Sequence, residues 1–129
     1  MANTVTSQTL IDGDRNLVML FTGLLDTSNE SRVVKVDAST FTPAPTKLKI
    51  NYIQYSISSQ LTLILDWDAD TDVRFACLSG QGELEACSFG GLQNNAGTGV
   101  TGDIALTTVG WASGSQSYTL LIEMVKVSF

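Results

Sequence analysis

The stretch that decides the fold class is KLKINYIQYSIS at 47–58, followed after two residues by LTLILDW at 61–67. The first segment alternates its side chains with a period of two, which is typical of a β-strand with two different faces. The alternation divides its residues into two sets, Leu48, Ile50, Tyr52 and Gln54 on one face and Lys49, Asn51, Ile53 and Tyr55 on the other. The second segment is nearly all apolar, which predicts a strand buried on both faces.

Short segments rich in β-branched residues lie on both sides of this pair, and turn residues separate them. The further predicted strands are 4–11, 17–25, 32–37, 73–78, 83–89, 104–109 and 118–129. Ser79-Gly80-Gln81-Gly82 has the composition of a hairpin turn and predicts pairing between the strands on either side of it. No window keeps the helical spacing of apolar residues over three turns. We therefore expect an all-β, single-domain antiparallel β-sandwich or jelly roll over residues 1–129, with residues 1–9 as an N-terminal arm.

The composition of the chain excludes several classes of function. Its 129 residues contain no histidine, so neither a Ser-His-Asp relay nor a histidine-ligated zinc site can form. Thirteen acidic against seven basic side chains give a formal charge of −6, which argues against nucleic-acid binding. The first residues lack the features of a signal peptide, and no apolar stretch approaches the ~18 residues of a membrane helix. We expect a soluble protein, made in the cytoplasm, with no nucleic-acid or membrane partner.

The segment DWDADTD at 66–72 holds carboxylates at every second position. Oxygen ligands spaced in this way suit a hard cation such as Ca²⁺, which gives four weak metal candidates, Asp66, Asp68, Asp70 and Asp72. The EF-hand pattern fails, because its glycine position holds Thr71 and its closing glutamate position holds Cys77. The favoured alternative is a solvated acidic turn between two strands.

Two further patterns have simple structural interpretations. Cys77 and Cys87 lie symmetrically about the expected hairpin turn, which permits a cross-strand disulfide, although two thiols are expected in a reducing cytosol. Residues 97–102 spell G-x-G-x-x-G, but a strand-like segment follows them where a dinucleotide site needs a helix. Neither pattern predicts catalysis or a bound nucleotide.

The remaining chemically suggestive side chains are acidic and aromatic. Glu83 and Glu85 alternate with apolar neighbours and are expected to form a solvent-facing row instead of a catalytic carboxylate pair. Trp67 and Trp111 could stack on a sugar, but packing in a core or an interface is the commoner role of such residues. We expect no catalytic site and no cofactor.

Contact surfaces are predicted in polar segments and in the last strand. The loop Gly90–Gly102 is long for a compact domain, and such loops are usually functional or disordered. Phe89 and Leu92 are placed to anchor it. Its candidate interface residues are Gln93, Asn94, Asn95, Thr98 and Val100, and the N-terminal arm adds Asn3 and Val5. The apolar segment 118–129 is expected at the centre of a sheet or beneath a partner chain, because an exposed apolar edge would aggregate.

Five runs resemble small β-rich virion structural proteins of tailed bacteriophages, namely RNLVM at 15–19, TGLLDT at 22–27, FGGLQNNAG at 89–97, GDI at 102–104 and LIEMVK at 121–126. The resemblance spans most of the chain, and none of these motifs is a catalytic signature. It implies a capsid decoration (cement) protein on the phage head, commonly a homotrimer, with the major capsid protein as its partner and no cofactor. Two alternatives stay open: a structural component of the neck or tail, and a β-module that binds carbohydrate or ions.

Overall fold

The computed structural model describes residues 4–26, 29–30, 32–41, 45, 47–86, 90–92, 94, 97, 102–111 and 114–128. Most of these residues lie in nine strands, and a short 3₁₀ turn covers Ala38–Thr40. The strands are β1 (Thr4–Asp12), β2 (Asn16–Leu25), β3 (Val33–Val36), β4 (Lys47–Ile57), β5 (Thr62–Trp67), β6 (Val73–Ser79), β7 (Gln81–Glu85), β8 (Ile104–Val109) and β9 (Gln116–Ser128). The prediction of an all-β fold is confirmed. Within this described part of the chain, no helix is long and apolar enough to cross a membrane.

The strands form two antiparallel sheets with a nested pairing. One sheet has the order β1-β2-β9-β4-β7 and the other has the order β3-β8-β5-β6. Strand β2 pairs with β9, β3 with β8, β4 with β7, and β5 with β6. A long antiparallel ribbon rolled up in this way is a jelly roll of eight strands. Strand β1 is an addition to that roll, because it extends the five-stranded sheet beyond β2 and has no nested counterpart among the described strands.

The hydrophobic core lies between the two sheets. Strand β9 is central, between β2 and β4, and its inward side chains Leu120 and Ile122 are fully buried, so the prediction of a central last strand is confirmed. Strand β5 differs from its prediction. Its alternate residues up to Trp67 are buried, whereas those between them, such as Ile64, are half-buried. The strand is therefore buried on one face, because the outer face of its sheet is only partly covered.

A bulge in β4 reverses the faces predicted for the second half of that strand. The register against β9 leaves Asn51 as an extra residue between Ile50 and Tyr52. An extra residue shifts the side-chain alternation by one position. Ile50 is buried, but beyond the bulge it is Ile53 from the other predicted face that is buried, while Tyr52 and Gln54 face outward.

The hairpin predicted around residues 79–82 is wrong. Strand β6 pairs with β5 in one sheet and β7 pairs with β4 in the other, so the chain crosses between the sheets at Gly80. Gly80 has a φ of +72°, a left-handed backbone that glycine adopts without strain. Cys77 is an exposed free thiol on β6, and Cys87 lies outside the described residues. Without the hairpin, the geometric reason for a cross-strand disulfide is removed.

Candidate interaction surface

Strand β1 is exposed along its whole length. All nine of its residues are exposed although the strand pairs with β2, because the four-stranded sheet does not cover it. The apolar side chains of Val5, Leu10 and Ile11 are 40%, 51% and 51% exposed. From Thr4 onward, the predicted N-terminal arm is thus a strand of the sheet, and Asn3 lies outside the described residues.

The register with β2 assigns each side chain of β1 to a face of the sheet. Val5 lies opposite Gly23, on the core side, whereas Ile11 lies opposite Val18, on the outer side. Leu10 is an extra residue before Ile11 and forms a bulge near the end of the strand. Apolar atoms are therefore exposed on both faces of one edge strand, and a partner that covers the edge can reach both faces.

Sequence reasoning selected Val5 in this strand but missed Leu10 and Ile11 as contact residues. Two adjacent apolar residues directly before Asp12 interrupt the period-two pattern of the strand. Such an interruption is a sequence signal of a bulge, so the bulge in this strand could have been predicted from the sequence. Their exposure, in contrast, depends on the extent of the opposite sheet, which the local sequence does not encode.

A buried ion pair fixes the end of β1 that adjoins the turn to β2. Lys126 on β9 is fully buried, and its Nζ donates to Oδ1 of Asp12 at 2.6 Å and to the carbonyl oxygen of Gly13 at 2.8 Å. The same ammonium lies 5.9 Å from the centroid of the Phe41 ring. Asp12 is the one charged residue of β1, and it is paired. The rest of the strand therefore presents an uncharged edge that is held firmly at one end.

The loop Gly90–Gly102 is described at residues 90–92, 94, 97 and 102. Leu92 bridges to Ile50, its N–H donating to the Ile50 carbonyl at 2.7 Å and its carbonyl accepting at 2.9 Å, which confirms its predicted anchoring role. Asn94, one of the predicted contact residues, is only 8% exposed, so its side chain presents little surface in the monomer. The other four loop candidates, Gln93, Asn95, Thr98 and Val100, lie outside the described residues, as does Phe89.

Three of the four aspartates of the acidic segment pair with two arginines. Arg32 bonds to Asp68 and to Asp72, with Nε 2.5 Å from Oδ2 of Asp72, and the pKa of the Asp72 carboxyl is lowered by that hydrogen bond. Asp66 lies 3.7 Å from Arg74. Among the described residues, no group of three or more acidic or cysteine side chains is placed to hold a metal ion. The geometry thus favours the acidic turn over the calcium loop.

Arg32 holds the acidic turn against the start of β3. Among the described residues other than glycine, Arg32 is the one with a left-handed backbone conformation, at a φ of +45°. This conformation carries a steric cost for a residue with a side chain. The backbone N–H of Arg32 donates to Oγ1 of Thr107 at 3.1 Å, and its guanidinium reaches the turn. Asp70, the remaining metal candidate, is exposed at the tip of the turn. No local pattern in the sequence indicates that Arg32 pairs with residues so distant along the chain.

Both tryptophans are used in packing. Trp67 is fully buried and stacks on Phe75, with ring centroids 4.2 Å apart. Trp111 is half-buried, and its Nε1 donates to the carbonyl oxygens of Leu25 at 3.0 Å and Gly114 at 2.9 Å. Trp67 is therefore not accessible for stacking on a sugar, and the indole N–H of Trp111 is already bonded to backbone carbonyl oxygens.

The outer face of the five-stranded sheet carries a groove of about 560 Å³ that the sequence did not predict. Leu20 and Leu121 lie in its lining together with polar groups that include Glu83. Beside the groove, the hydroxyl of Tyr52 donates to Glu83, which raises the pKa of the tyrosine. Glu83 and Glu85 are both exposed, so the predicted solvent-facing row is confirmed. Tyr52 reaches this face only because of the bulge in β4.

A second buried ionic cluster joins Glu30, Lys35 and Tyr118. The Lys35 Nζ lies 2.7 Å from the Glu30 carboxylate, to which the Tyr118 hydroxyl donates at 2.5 Å. Burial, and then the bond to Glu30, raises the pKa of Tyr118. The Glu30 backbone is also bonded to Thr108, its N–H donating to Oγ1 at 2.7 Å and its carbonyl accepting from N–H at 2.9 Å. Because its members are bonded to one another, the cluster serves to fix the packing.

No protein-family model and no curated protein matches this chain. Among solved structures it is similar to a crystal structure of a cupin superfamily protein from Desulfitobacterium hafniense. The two are 15% identical, with 95% of this chain and 79% of that chain covered and a TM-score of 0.35. A likeness of that size carries no information on function.

Proposed function

We propose that this chain is a non-enzymatic virion structural protein of a tailed bacteriophage, a capsid decoration protein that strengthens the head lattice. Strand β1 is the observation that carries the proposal. It is added to an eight-stranded roll, each of its residues is exposed, and its one charge is paired. Because the roll encloses its apolar core without β1, and Asp12 at the end of the strand is the residue that pairs with the buried Lys126, the core gives no reason for the rest of this strand. A surface that associates with neighbours does give one, and the five phage-like sequence runs indicate the kind of assembly.

Association through β1 uses main chain and side chains together. The free edge offers backbone N–H and C=O groups that can pair with another strand. Val5, Leu10 and Ile11 add exposed apolar area, whose burial contributes about 25 cal/mol per Å². Specific interfaces bury roughly 1,600 Å² in total, so β1 forms the centre of a contact that neighbouring surface completes.

The surface is organised before any partner arrives. Hydrogen bonds to β2 run along the strand, and the pair between Lys126 and Asp12 holds its end. A segment that is already ordered loses less conformational entropy on binding than a disordered arm. In a head pressurised by DNA, a rigid protein that bridges adjacent subunits through such contacts would resist their separation.

The proposal is tested by the binding of the purified full chain to expanded, undecorated phage heads, with the major capsid protein as the partner. Val5→Lys and Ile11→Lys should lower the occupancy, because each places a charge in the contact. Val33→Lys is the matched control, since Val33 is 39% exposed on β3 in the other sheet. The proposal is overturned if Val33→Lys lowers the occupancy while Val5→Lys and Ile11→Lys do not, or if the wild-type chain does not bind the heads.

The location in the virion is tested by counting copies. A decoration protein occurs in many copies spread over the head, whereas a neck or tail component occurs in few copies at one vertex. Quantitative mass spectrometry of purified virions separates the two. A low copy number confined to the neck or tail would replace the decoration role with the alternative structural role.

A further inference from the structure

The outer strands of the two sheets are protected from unwanted pairing to different degrees. Natural edge strands are kept short, or carry charges, prolines or bulges, because an unprotected edge pairs with other chains. Strand β7 has five residues and carries Glu83 and Glu85, β3 has only four residues, and β6 carries Arg74. Strand β1 has nine residues, and its segment Thr4–Ile11 contains neither a charge nor a proline.

The one protective feature of β1 is its bulge, and the position of the bulge limits its effect. The irregularity lies between Thr9 and Ile11, whereas Thr4 to Thr9 pair with β2 in continuous register. Six consecutive residues therefore present a regular edge about 20 Å long, at the usual rise of ~3.4 Å per residue. That edge is long enough and regular enough to accept another strand.

We infer that the partner at this edge is β1 of a second copy of the chain, paired antiparallel about a two-fold axis at Ser7. This inference rests on the proposed function and deepens it, since it assigns the backbone edge of β1 to a second copy and leaves the exposed side chains on the two faces of the strand for the capsid. The axis places Ser7 opposite itself, Val5 opposite the second copy's Thr9, and Thr6 opposite the second copy's Gln8. Residues opposite each other then lie on the same face, as an antiparallel pair requires. The two sheets become one continuous sheet of ten strands.

The chemistry of β1 favours its own copy as the partner. In a two-fold pair, any charge at the centre of the strand would face the same charge, which destabilises the pairing. The strand carries uncharged side chains there, and its threonine and valine residues have high β-propensity. Two-fold contacts of this self-complementary kind are the commonest in soluble oligomers. The contact gives a dimer, in contrast to the trimer that the family resemblance implies.

The test uses charge substitutions at the proposed axis in the full-length chain. The wild-type chain should sediment with twice the 13.8 kDa mass of the monomer. Ser7→Lys and Ser7→Glu should each weaken the dimer by up to roughly fivefold, because like charges meet across the axis. An equimolar mixture of the two variants should restore the dimer, since opposite charges then meet. Ser79→Lys, at an exposed serine on the edge strand β6, is the matched control and should stay dimeric.

Hydrogen exchange provides a measurement that needs no variant. Backbone amides between Val5 and Thr9 should become more protected as the wild-type chain is concentrated, while those of the β7 edge should not change. A wild-type monomer, a dimer unaffected by Ser7→Lys, or a mixture that stays monomeric overturns the inference.

Head binding by the same proteins distinguishes this failure from failure of the proposed function. A dimer of the expected kind that does not bind heads contradicts the proposed function alone. A wild-type monomer that binds heads contradicts the inference alone.

Discussion

The two strands that pair with β2 differ in burial. On one side β9 continues the sheet, and its inward side chains are buried in the core; on the other side β1 pairs with the same strand, and none of its residues is buried. Both neighbours are hydrogen-bonded to β2 in antiparallel register. Hydrogen-bond pairing therefore orders a strand without burying it, and only a facing sheet supplies the apolar contact. This difference separates residues that hold the fold together from residues that are available to a partner.

The largest expected effect compares one isoleucine from each neighbour. Ile122→Ala on β9 removes a fully buried side chain and should lower the free energy of unfolding by about 2–5 kcal/mol. Ile11→Ala on β1 removes a side chain that is 51% exposed and should change it by less than about 0.5 kcal/mol. Urea unfolding followed by circular dichroism, at a concentration where the chain is monomeric, measures both. Equal costs would show that β1 is packed and would remove the contrast.

A smaller effect is expected at the ion pair that joins the two strands. Lys126→Met keeps the apolar stem but leaves the Asp12 carboxylate and the Gly13 carbonyl oxygen without their donor. Removing one partner of a buried pair costs about 3–5 kcal/mol, and the 28% exposure of the Asp12 side chain should reduce this to about 2 kcal/mol. The double variant Asp12→Asn with Lys126→Met should cost less than the sum of the single variants. Additive costs would mean that the two groups do not interact.

The next comparison uses two glycines at different depths. A Cβ at Gly23 would overlap the ring of the buried Tyr118, so Gly23→Ala should cost about 1–3 kcal/mol through overpacking. A Cβ at Gly13, in the turn between β1 and β2, would meet its nearest atom at 3.6 Å. Gly13→Ala should therefore be nearly neutral. Thermal unfolding of both variants tests the pair, and a reversed order would contradict the described packing of Tyr118.

The smallest expected effect is the pH dependence of the acidic turn. The pKa of Asp72 in the folded protein is below its ordinary value of 3.8, so its bond to Arg32 stabilises the fold above that pH. This stabilisation should be lost as the pH falls below 3.8 towards the folded pKa. Asp72→Asn should reduce the slope of stability against pH in that window and leave the slope near neutral pH unchanged. Association through the uncharged β1 edge should show no transition there.

The sequence predicted the strands well because their signals are local. Alternation and turn residues placed β1, β2 and β8 close to their observed bounds. The predicted hairpin failed because glycine-rich turn chemistry serves a crossover as well as a hairpin, and long-range pairing decides between them. The bulge at Asn51 was missed for a related reason, since one extra residue leaves no local mark within an alternating polar pattern.

The candidate surface was predictable only in part. Val5 was selected because it lies in the N-terminal arm that was predicted as a contact element, and β1 does present it to solvent. Asn94 was selected because amides are typical of contact loops, and its burial in the monomer depends on long-range packing that composition does not encode. Pairing of Arg32 with Asp68 and Asp72 joins segments that only the completed roll brings together.

The place of β9 between β2 and β4 has a consequence for synthesis. Residues 26–115 separate Leu25 from Gln116, and at roughly 5–20 residues per second the ribosome needs about 5–20 s to make them. During that interval β2 and β4 have both emerged without the strand that belongs between them. The hairpin of β1 and β2 needs only its own short turn and can close at once. A nascent chain can thus display the edge through which copies meet before its core exists, so polysomes are the place where premature association is most expected.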